Sequence, residues 1–204
     1  MQKIDLKKEY ANVYKASVNK CDIITVPKLS YLMTDGEGDP NHSQQFQEAV
    51  SALYTLAYTI KFMIKKGELQ IDYGVMPLEG LWWTDNMPEF SMEHKDKWKW
   101  TLMILQPDFV SSTMVAQAKD QVIKKKKLTS VNNVRLETIN EGLCAQTLHI
   151  GPYNEEPPTI VKLHTFIKES GYKLHNKHRE IYLNDMRRTV PEKLKTIIRQ
   201  PIVK

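Results

Sequence analysis

One strand-like segment near the carboxyl end of the chain alternates polar and apolar side chains. By the two-residue period of a strand, His178, Glu180 and Tyr182 share one face. Ile181 and Leu183 share the other. The polar face meets either solvent, as in many half-exposed antiparallel sheets, or a cleft. In a hydrophobic cleft, Glu180 would be partly desolvated and its pKa raised, which suits a general base or a site for a cation. Tyr182 would then be its hydrogen-bonding neighbour.

Two further carboxylates and a tyrosine could take part in the same chemistry. Glu155 and Glu156 stand at the entry to a predicted helix, where negative charge complements the helix dipole. They either cap this helix or provide a second carboxylate that faces Glu180. Tyr73 is either a proton donor or orienting hydroxyl, or a residue that only packs.

The tryptophans of this chain all lie between residues 82 and 100. They are Trp82, Trp83, Trp98 and Trp100. Because tryptophan buries a large area wherever it lies, this cluster either fills the core or forms the wall of a pocket for a flat hydrophobic ligand. Trp82 and Trp83 would point to opposite faces of a strand and could not both enter one core, which favours the pocket.

Composition excludes several classes of protein. The chain has 204 residues, of which 26% are charged and 41% are hydrophobic, so it is neither disordered nor collagen-like. Its two cysteines, Cys21 and Cys144, are far apart and form no metal-binding pattern, which predicts a reduced cytoplasmic setting. No apolar run approaches the ~18 residues of a membrane-spanning helix. We expect a soluble cytoplasmic protein without a membrane partner.

Charge and motifs narrow the partners further. The net charge is +5, and the densest basic run, from Lys124 to Lys127, ends a helix-like segment, where cations suit the helix dipole. We therefore expect no nucleic-acid partner. Dinucleotide, P-loop, nucleophile-elbow and zincin motifs do not occur in the sequence. His175 and His178 have no partner cluster for a metal, so we expect neither metal nor cofactor.

The predicted elements repeat one order twice. Helical periodicity covers the segments 41–67, 112–127 and 157–171. Strand-like segments are 22–33, 69–83, 97–106, 134–150 around a turn at 140–142, and 179–184. A short helix at 191–198 and a last strand at 202–203 follow. This order predicts an α+β fold with antiparallel sheets and helices packed on one face of each sheet. The divisions would be an N-terminal extension (1–21) and one domain (22–204), with modules of about 22–110 and 111–204.

Four stretches of sequence carry a family resemblance. They are Tyr-Gly-Val-Met-Pro-Leu-Glu-Gly-Leu-Trp-Trp from Tyr73, Lys-Trp-Lys-Trp-Thr from Lys97, His-Ile-Gly-Pro-Tyr from His149, and the run from His178 to Leu194. Over residues 22–203 the chain resembles the GyrI-like small-molecule-binding domain. Within that family it is similar to the stand-alone subfamily that hydrolyses cyclopropanoid toxins.

The resemblance implies a fold, a site and an activity. It implies two pseudo-symmetric strand-helix-strand-strand modules, as in GyrI-like and SOUL-like proteins, whose antiparallel sheets form a central ligand cleft. The cleft would bind a small planar hydrophobic ligand and open the cyclopropane ring of DNA-alkylating compounds with water. For this reaction we assign, on chemical grounds, Glu180 as the base, Glu156 as a second carboxylate, Tyr73 as the polarising or water-orienting hydroxyl, and Tyr182 in support.

The same resemblance supplies a ligand-binding set and an alternative. The ligand-binding candidates are Trp82, Trp83, Trp98, Trp100, Glu155, His149 and Tyr153. From its position on a strand, His149 alone would be read as a hydrogen-bonded core residue. The alternative is a non-catalytic protein that sequesters drugs or engages a protein partner such as gyrase. We expect a monomer or a homodimer.

Overall fold

The core of the fold is a sheet of antiparallel strands that closes on itself. The computed structural model of the protein describes residues 1–85 and 94–204. Its strands are β1 (Gln2–Ile4), β2 (Asp22–Glu37), β3 (Ile71–Tyr73), β4 (Leu78–Trp83), β5 (Lys99–Gln106), β6 (Arg135–Ile150), β7 (Lys173–Leu174), β8 (His178–Tyr182) and β9 (Lys195–Val203). Its helices are α1 (Leu6–Glu9), α2 (Ala11–Tyr14), α3 (Gln44–Lys66), α4 (Ser112–Lys126) and α5 (Pro157–Glu169). Six strands pair in the order β6-β2-β5-β4-β8-β9, and β9 returns to β6, which makes a barrel.

The barrel contains the same order of elements twice. One repeat includes β2, α3, β4 and β5, and the other includes β6, α5, β8 and β9. The repeats meet where β2 pairs with β6 and where β4 pairs with β8. Helix α3 packs on β2 and β5, and α5 packs on β6 and β9. The predicted α+β fold of two strand-helix-strand-strand modules is therefore confirmed, and their sheets join as one barrel.

Helix α3 shows why the longest helical prediction succeeded. The Ser43 hydroxyl accepts a hydrogen bond from the Phe46 N–H, which caps the first turn. Its buried stripe repeats every three or four residues and includes Leu53, Leu56 and Ile60. The Gly67 N–H bonds the Met63 carbonyl and ends the helix. The caps and the periodicity agree, so local sequence was sufficient here.

Strand β6 corrects one prediction. The turn expected at 140–142 does not form, because β6 continues as a single strand through Gly142 at φ 71°. Its pairing with β2 keeps one register on both sides, since Asn140 pairs with Lys28 and Leu143 pairs with Thr25. A glycine in the left-handed region can belong to a bent strand as well as to a turn.

Strand β9 corrects a second prediction from the sequence. The helix expected over 191–198 is wrong, because only Pro191–Lys193 form a 3-10 turn and the next residues form β9. The β-branched residues Thr196, Ile197 and Ile198 suit a strand. Because β9 is buried on both faces, its sequence shows no alternation that would have identified it.

The inner face of the barrel holds a buried polar network around Arg179 of β8. Its guanidinium donates to Glu79 of β4 (Nε to Oε2, 2.9 Å) and to Glu141 of β6 (Nη1 to Oε2, 2.8 Å). It also donates to the Tyr31 hydroxyl of β2 at 2.7 Å. These partners come from three other strands, so the network links the barrel across its interior.

The N-terminal segment packs against this interior. Leu6, Val13 and Tyr14 are buried in the main hydrophobic core. The Tyr14 hydroxyl donates to Glu79, and the buried Arg199 guanidinium donates to the Val13 carbonyl. The first twenty residues therefore contribute to the core and to its polar network.

Gly36 provides a test of how tightly the barrel wall is packed. It pairs with Trp100 between β2 and β5, and a Cβ there would lie 2.1 Å from Cη2 of that buried indole. We expect Gly36→Ala to lower the free energy of unfolding by about 1–3 kcal/mol, because the indole has no room to move. Urea denaturation would measure it. Gly74→Ala is the matched control, since a Cβ at Gly74 meets nothing within 4 Å. Equal stability of the two variants would contradict this packing.

Candidate functional site

Glu180 of β8 is held by donors on both carboxylate oxygens. The Tyr182 hydroxyl donates to Oε2 at 2.7 Å, and Nε2 of His178 lies 3.2 Å from Oε1. Tyr182 in turn accepts a hydrogen bond from Nε1 of Trp82 on β4, at 3.0 Å. The Glu180 side chain is 14% exposed, so it is mostly buried and still reachable by a small molecule from solvent. The strand face that carries these residues is therefore neither open surface nor closed core.

A glycine makes this arrangement possible. Gly80 of β4 pairs directly with Glu180 of β8. A Cβ at Gly80 would lie 2.6 Å from the Trp82 Nε1 and 3.2 Å from the Tyr182 hydroxyl. Because glycine has no side chain, the hydrogen bond between the indole and the phenol can cross the strand beside Glu180.

Glu156 brings a second carboxyl group to Glu180. It occupies the N-cap position of α5, yet its side chain makes no capping hydrogen bond within the described part of the chain. The residue is 4% exposed. Burial, and then the negative charge of Glu180, raise the pKa of Glu156 well above its usual range. Two buried carboxyl groups in contact share one proton, and here Glu156 holds it. Glu156 therefore makes no capping bond to its helix and lies beside Glu180.

The loop before α5 directs Glu156 inward. Gly151 has φ 139°, which other residues rarely adopt. The imidazole of His149 lies 3.0 Å from the Thr159 hydroxyl through Nδ1 and 3.3 Å from the Pro152 carbonyl through Nε2. His149 thus ties the loop to the first turn of α5, and its contacts are those of a hydrogen-bonded core residue.

Tyrosines surround the two carboxyl groups. The ring of Tyr153 packs edge-on against Tyr182, with centroids 5.5 Å apart. Burial, followed by the charges of Glu156 and Glu180, raises the pKa of Tyr153 to about 12. Its hydroxyl therefore remains a neutral hydrogen-bond donor across the physiological range. Tyr54 of α3 is near enough to add to this shift, and sequence reasoning missed it. Its ring stacks on that of Tyr58, one helical turn later. Two tyrosines at positions i and i+4 were the sequence pattern that could have pointed to Tyr54.

The tryptophans form a cluster behind Tyr182. Trp82 stacks on Phe46 at 6.1 Å and meets Trp98 edge-on at 5.6 Å. Trp100 is fully buried and meets Phe46 at 5.2 Å. Trp83 points to the opposite face of β4, where Nζ of Lys177 lies 3.2 Å from its ring centroid. Trp82 and Trp83 thus point to opposite faces of the strand, as predicted. The rings of Trp82, Trp98 and Trp100 are buried in the core.

Tyr73 and Glu155 are further predicted site residues that do not join the carboxyl pair. The buried ring of Tyr73 packs edge-on against Phe109 at 5.9 Å, and its hydroxyl has no hydrogen-bond partner in the part of the chain that the structure describes. It borders a cavity of about 480 Å³ beside the N-terminal strand. Glu155 is exposed. The structure therefore brings together Glu156, Glu180, Tyr182, Tyr153 and Trp82, and leaves Tyr73 outside this group.

Glu156 predicts a dependence of stability on pH. The folded protein keeps a proton on this carboxyl that the unfolded chain releases above the usual value of 4.5. A raised pKa in the folded state therefore costs stability increasingly as pH rises above that value. Glu156→Gln is always neutral, and we expect it to exceed the parent in free energy of unfolding by at least about 1 kcal/mol at pH 7. The difference should vanish near pH 4.

Urea denaturation at both pH values would measure this effect. Glu155→Gln is the control, because the exposed neighbour should show no such dependence on pH. If the free energies of unfolding of Glu156→Gln and the parent differ by the same amount at pH 4 and pH 7, the Glu156 carboxyl is not held protonated by the fold.

Comparison with known proteins identifies the family of this chain. The sequence matches the GyrI-like small molecule binding domain over residues 19–203. The chain belongs to the GyrI-like family. The matched region contains the barrel, both carboxyl groups and the tyrosines. No curated protein matches the sequence.

Solved GyrI-like structures extend the comparison. An uncharacterized conserved protein from Listeria innocua is 40% identical, with a TM-score of 0.91 over 98% of this chain and 100% of its own. A protein described as a hydrolase from Listeria innocua is also 40% identical, with a TM-score of 0.89 over 99% and 100% of the two chains. The C-terminal domain of EcmrR, 14% identical with a TM-score of 0.58 over 91% and 98%, shares the fold.

The described residues of this GyrI-like protein lack two kinds of feature. No helix within 1–85 or 94–204 is long and apolar enough to cross a membrane. Over the same ranges, no group of three or more His, Cys, Asp or Glu side chains could hold a metal ion.

Proposed function

We propose that this GyrI-like protein binds flat hydrophobic molecules beside Glu180 and hydrolyses the cyclopropane ring of cyclopropanoid DNA-alkylating compounds. The observation that carries the proposal is the buried pair of Glu156 and Glu180, in which burial and the charge of Glu180 raise the pKa of Glu156. In such a pair one carboxylate can act as a base while the neighbouring carboxyl stays neutral. The hydrolase name of the Listeria innocua relative, which is 40% identical, is a second support.

The proposed reaction begins with water on Glu180. The carboxylate accepts a proton as the water oxygen attacks the cyclopropane CH2, and the strained C–C bond breaks. Its electron pair moves through the conjugated ring to the carbonyl oxygen, which becomes a phenolate as the ring aromatises. Hydrogen-bond donors at this oxygen stabilise the growing charge. We assign the donor to Tyr153, because its neutral hydroxyl borders the pair, and we give Tyr73 no role.

The other groups hold this arrangement in place. The contacts with His178 and Tyr182 fix the orientation of the Glu180 carboxylate. A protonated Glu156 adds no second negative charge near the developing phenolate. Trp82 fixes Tyr182 from behind and gives the ligand face an aromatic support. This proposal requires no metal or cofactor.

The test is direct incubation of the protein with a spirocyclopropyl alkylator. Mass spectrometry should detect the product that has gained one water, in many equivalents per protein. The proposed setting is the cytoplasm, where the free thiols of Cys21 and Cys144 stay reduced, with the protein as a monomer or homodimer. Stoichiometric capture without ring-opened product would instead favour the alternative, a protein that sequesters drugs.

A further inference from the structure

The acid and the base of this site are neighbours, and this closeness restricts the substrates that can use both. Glu156 Oε1 is a buried oxygen that finds no hydrogen-bond partner among the described residues. Glu180 lies close enough for its charge to act on this carboxyl. Glu180 accepts from His178, from Tyr182 and from the proton that it shares with Glu156, which leaves one lone pair of the carboxylate for water.

A spirocyclopropyl compound uses this pair only in part. The carbon that water attacks and the oxygen that receives the electrons lie on opposite sides of a six-membered ring. A group next to Glu180 can act at the attacked carbon but does not reach the carbonyl oxygen that receives the electrons. In an epoxide, by contrast, the attacked carbon and the leaving oxygen share one bond. Adjacent acid and base groups fit that arrangement.

We propose that Glu156 and Glu180 also hydrolyse epoxides attached to flat aromatic groups, giving 1,2-diols. This inference rests on the same base, Glu180, as the proposed function. It differs by giving Glu156 the role of general acid. The aromatic requirement follows from Tyr153 and Tyr182, whose rings border the carboxyl groups.

The steps of this reaction balance without another reactant. Glu180 takes one proton from water as the water oxygen bonds to the benzylic carbon. The C–O bond of the epoxide breaks, and its electron pair stays on oxygen, which takes the proton of Glu156. The site is then left with protonated Glu180 and ionised Glu156. One proton transfer between the neighbouring carboxyl groups restores the starting state.

Styrene oxide and trans-stilbene oxide are suitable probes, with diol formation followed by liquid chromatography. We expect the full chain to form diol at least about 10²-fold faster than buffer. With the protein in excess in ¹⁸O-labelled water, the first diol formed should contain one ¹⁸O, because water attacks directly. Unlabelled first-turnover diol would mean that a carboxylate attacked, which would overturn the proposed roles.

Two variants separate this inference from the proposed function. Glu156→Gln keeps the shape of the side chain and loses its proton, so epoxide turnover should fall about 10²-fold and cyclopropane turnover much less. Tyr153→Phe should lower cyclopropane turnover and affect epoxide turnover much less, because only the cyclopropanoid carbonyl needs that hydroxyl. Glu169→Gln, an exposed carboxylate on the same helix α5, should change neither.

Each failure has its own signature. Cyclopropane opening without diol formation would overturn the epoxide inference and leave the proposed function standing. Diol formation without cyclopropane opening would do the opposite. Equal loss of both activities in Glu156→Gln would remove the special role of that residue toward epoxides.

Discussion

Replacement of Glu180 by glutamine is expected to lower the turnover number for the spirocyclopropyl compound about 10²–10⁴-fold and to leave its binding nearly unchanged. Glutamine has the same shape and can still accept a hydrogen bond from Tyr182. It has no negative charge and cannot take a proton from water. The site would therefore keep its form and lose its base.

The measurement needs rates and affinities on the same samples. Product formation by mass spectrometry gives the rate, and ligand quenching of tryptophan fluorescence gives the dissociation constant. The second readout is available because Trp82 lies directly behind Tyr182. Glu169→Gln is the control for loss of a carboxylate. A Glu180→Gln protein with full activity would remove this residue from the mechanism, and one that no longer binds would point to a ligand-holding role.

The alternation around Glu180 shows how far sequence alone could reach. A period of two was enough to place His178, Glu180 and Tyr182 on one face, and their hydrogen bonds agree with it. The sequence could not distinguish solvent from a cleft on that face. That distinction depends on Glu156, which is distant in sequence and reaches Glu180 only through the packing of α5 on β9.

The role of Glu156 was open for the same reason. A carboxylate at the start of a helix is ordinarily a cap, and no local signal indicates that its side chain turns away from the helix. The cause is the Gly151 loop, held by His149, together with the approach of β8. Strand β9 also depends on long-range contacts. Its residues have strand propensity, but they show no alternation of polar and apolar side chains that would have identified the strand.

The sequence pattern did not indicate the buried arginine on the opposite face of β8. Arg179 lies between two residues of the polar face and shares its side of the strand with Ile181, so the pattern suggested an apolar surface. Instead, Arg179 is fully buried and faces the barrel interior. One strand therefore carries the proposed base on its outer face and an interior ion pair on its inner face.

This arrangement predicts a large loss of stability when Arg179 is replaced. Arg179→Met would leave Glu79 and Glu141 buried without the guanidinium that now bonds both. Breaking a buried ion pair in this way costs about 3–5 kcal/mol of unfolding free energy. Arg187→Met is the control, because it removes an exposed, solvent-screened ion pair with Asp185 that contributes little to stability. Urea denaturation of both variants would measure the difference.

Further variants keep the test decisive if Arg179→Met does not fold. Arg179→Lys keeps the charge and loses the planar fork that bonds two carboxylates and Tyr31, so an intermediate loss is expected. Glu141 keeps an ion pair with Arg199 (Nη1 to Oε2, 3.7 Å) in Arg179→Met, whereas Glu79 loses its cation. Adding Glu79→Gln removes that uncompensated charge, so the double variant should lose less than the sum of the single losses, by about 0.5–3 kcal/mol. Strictly additive losses would mean that the two side chains do not stabilise each other, and the network would then owe its persistence to packing of the barrel.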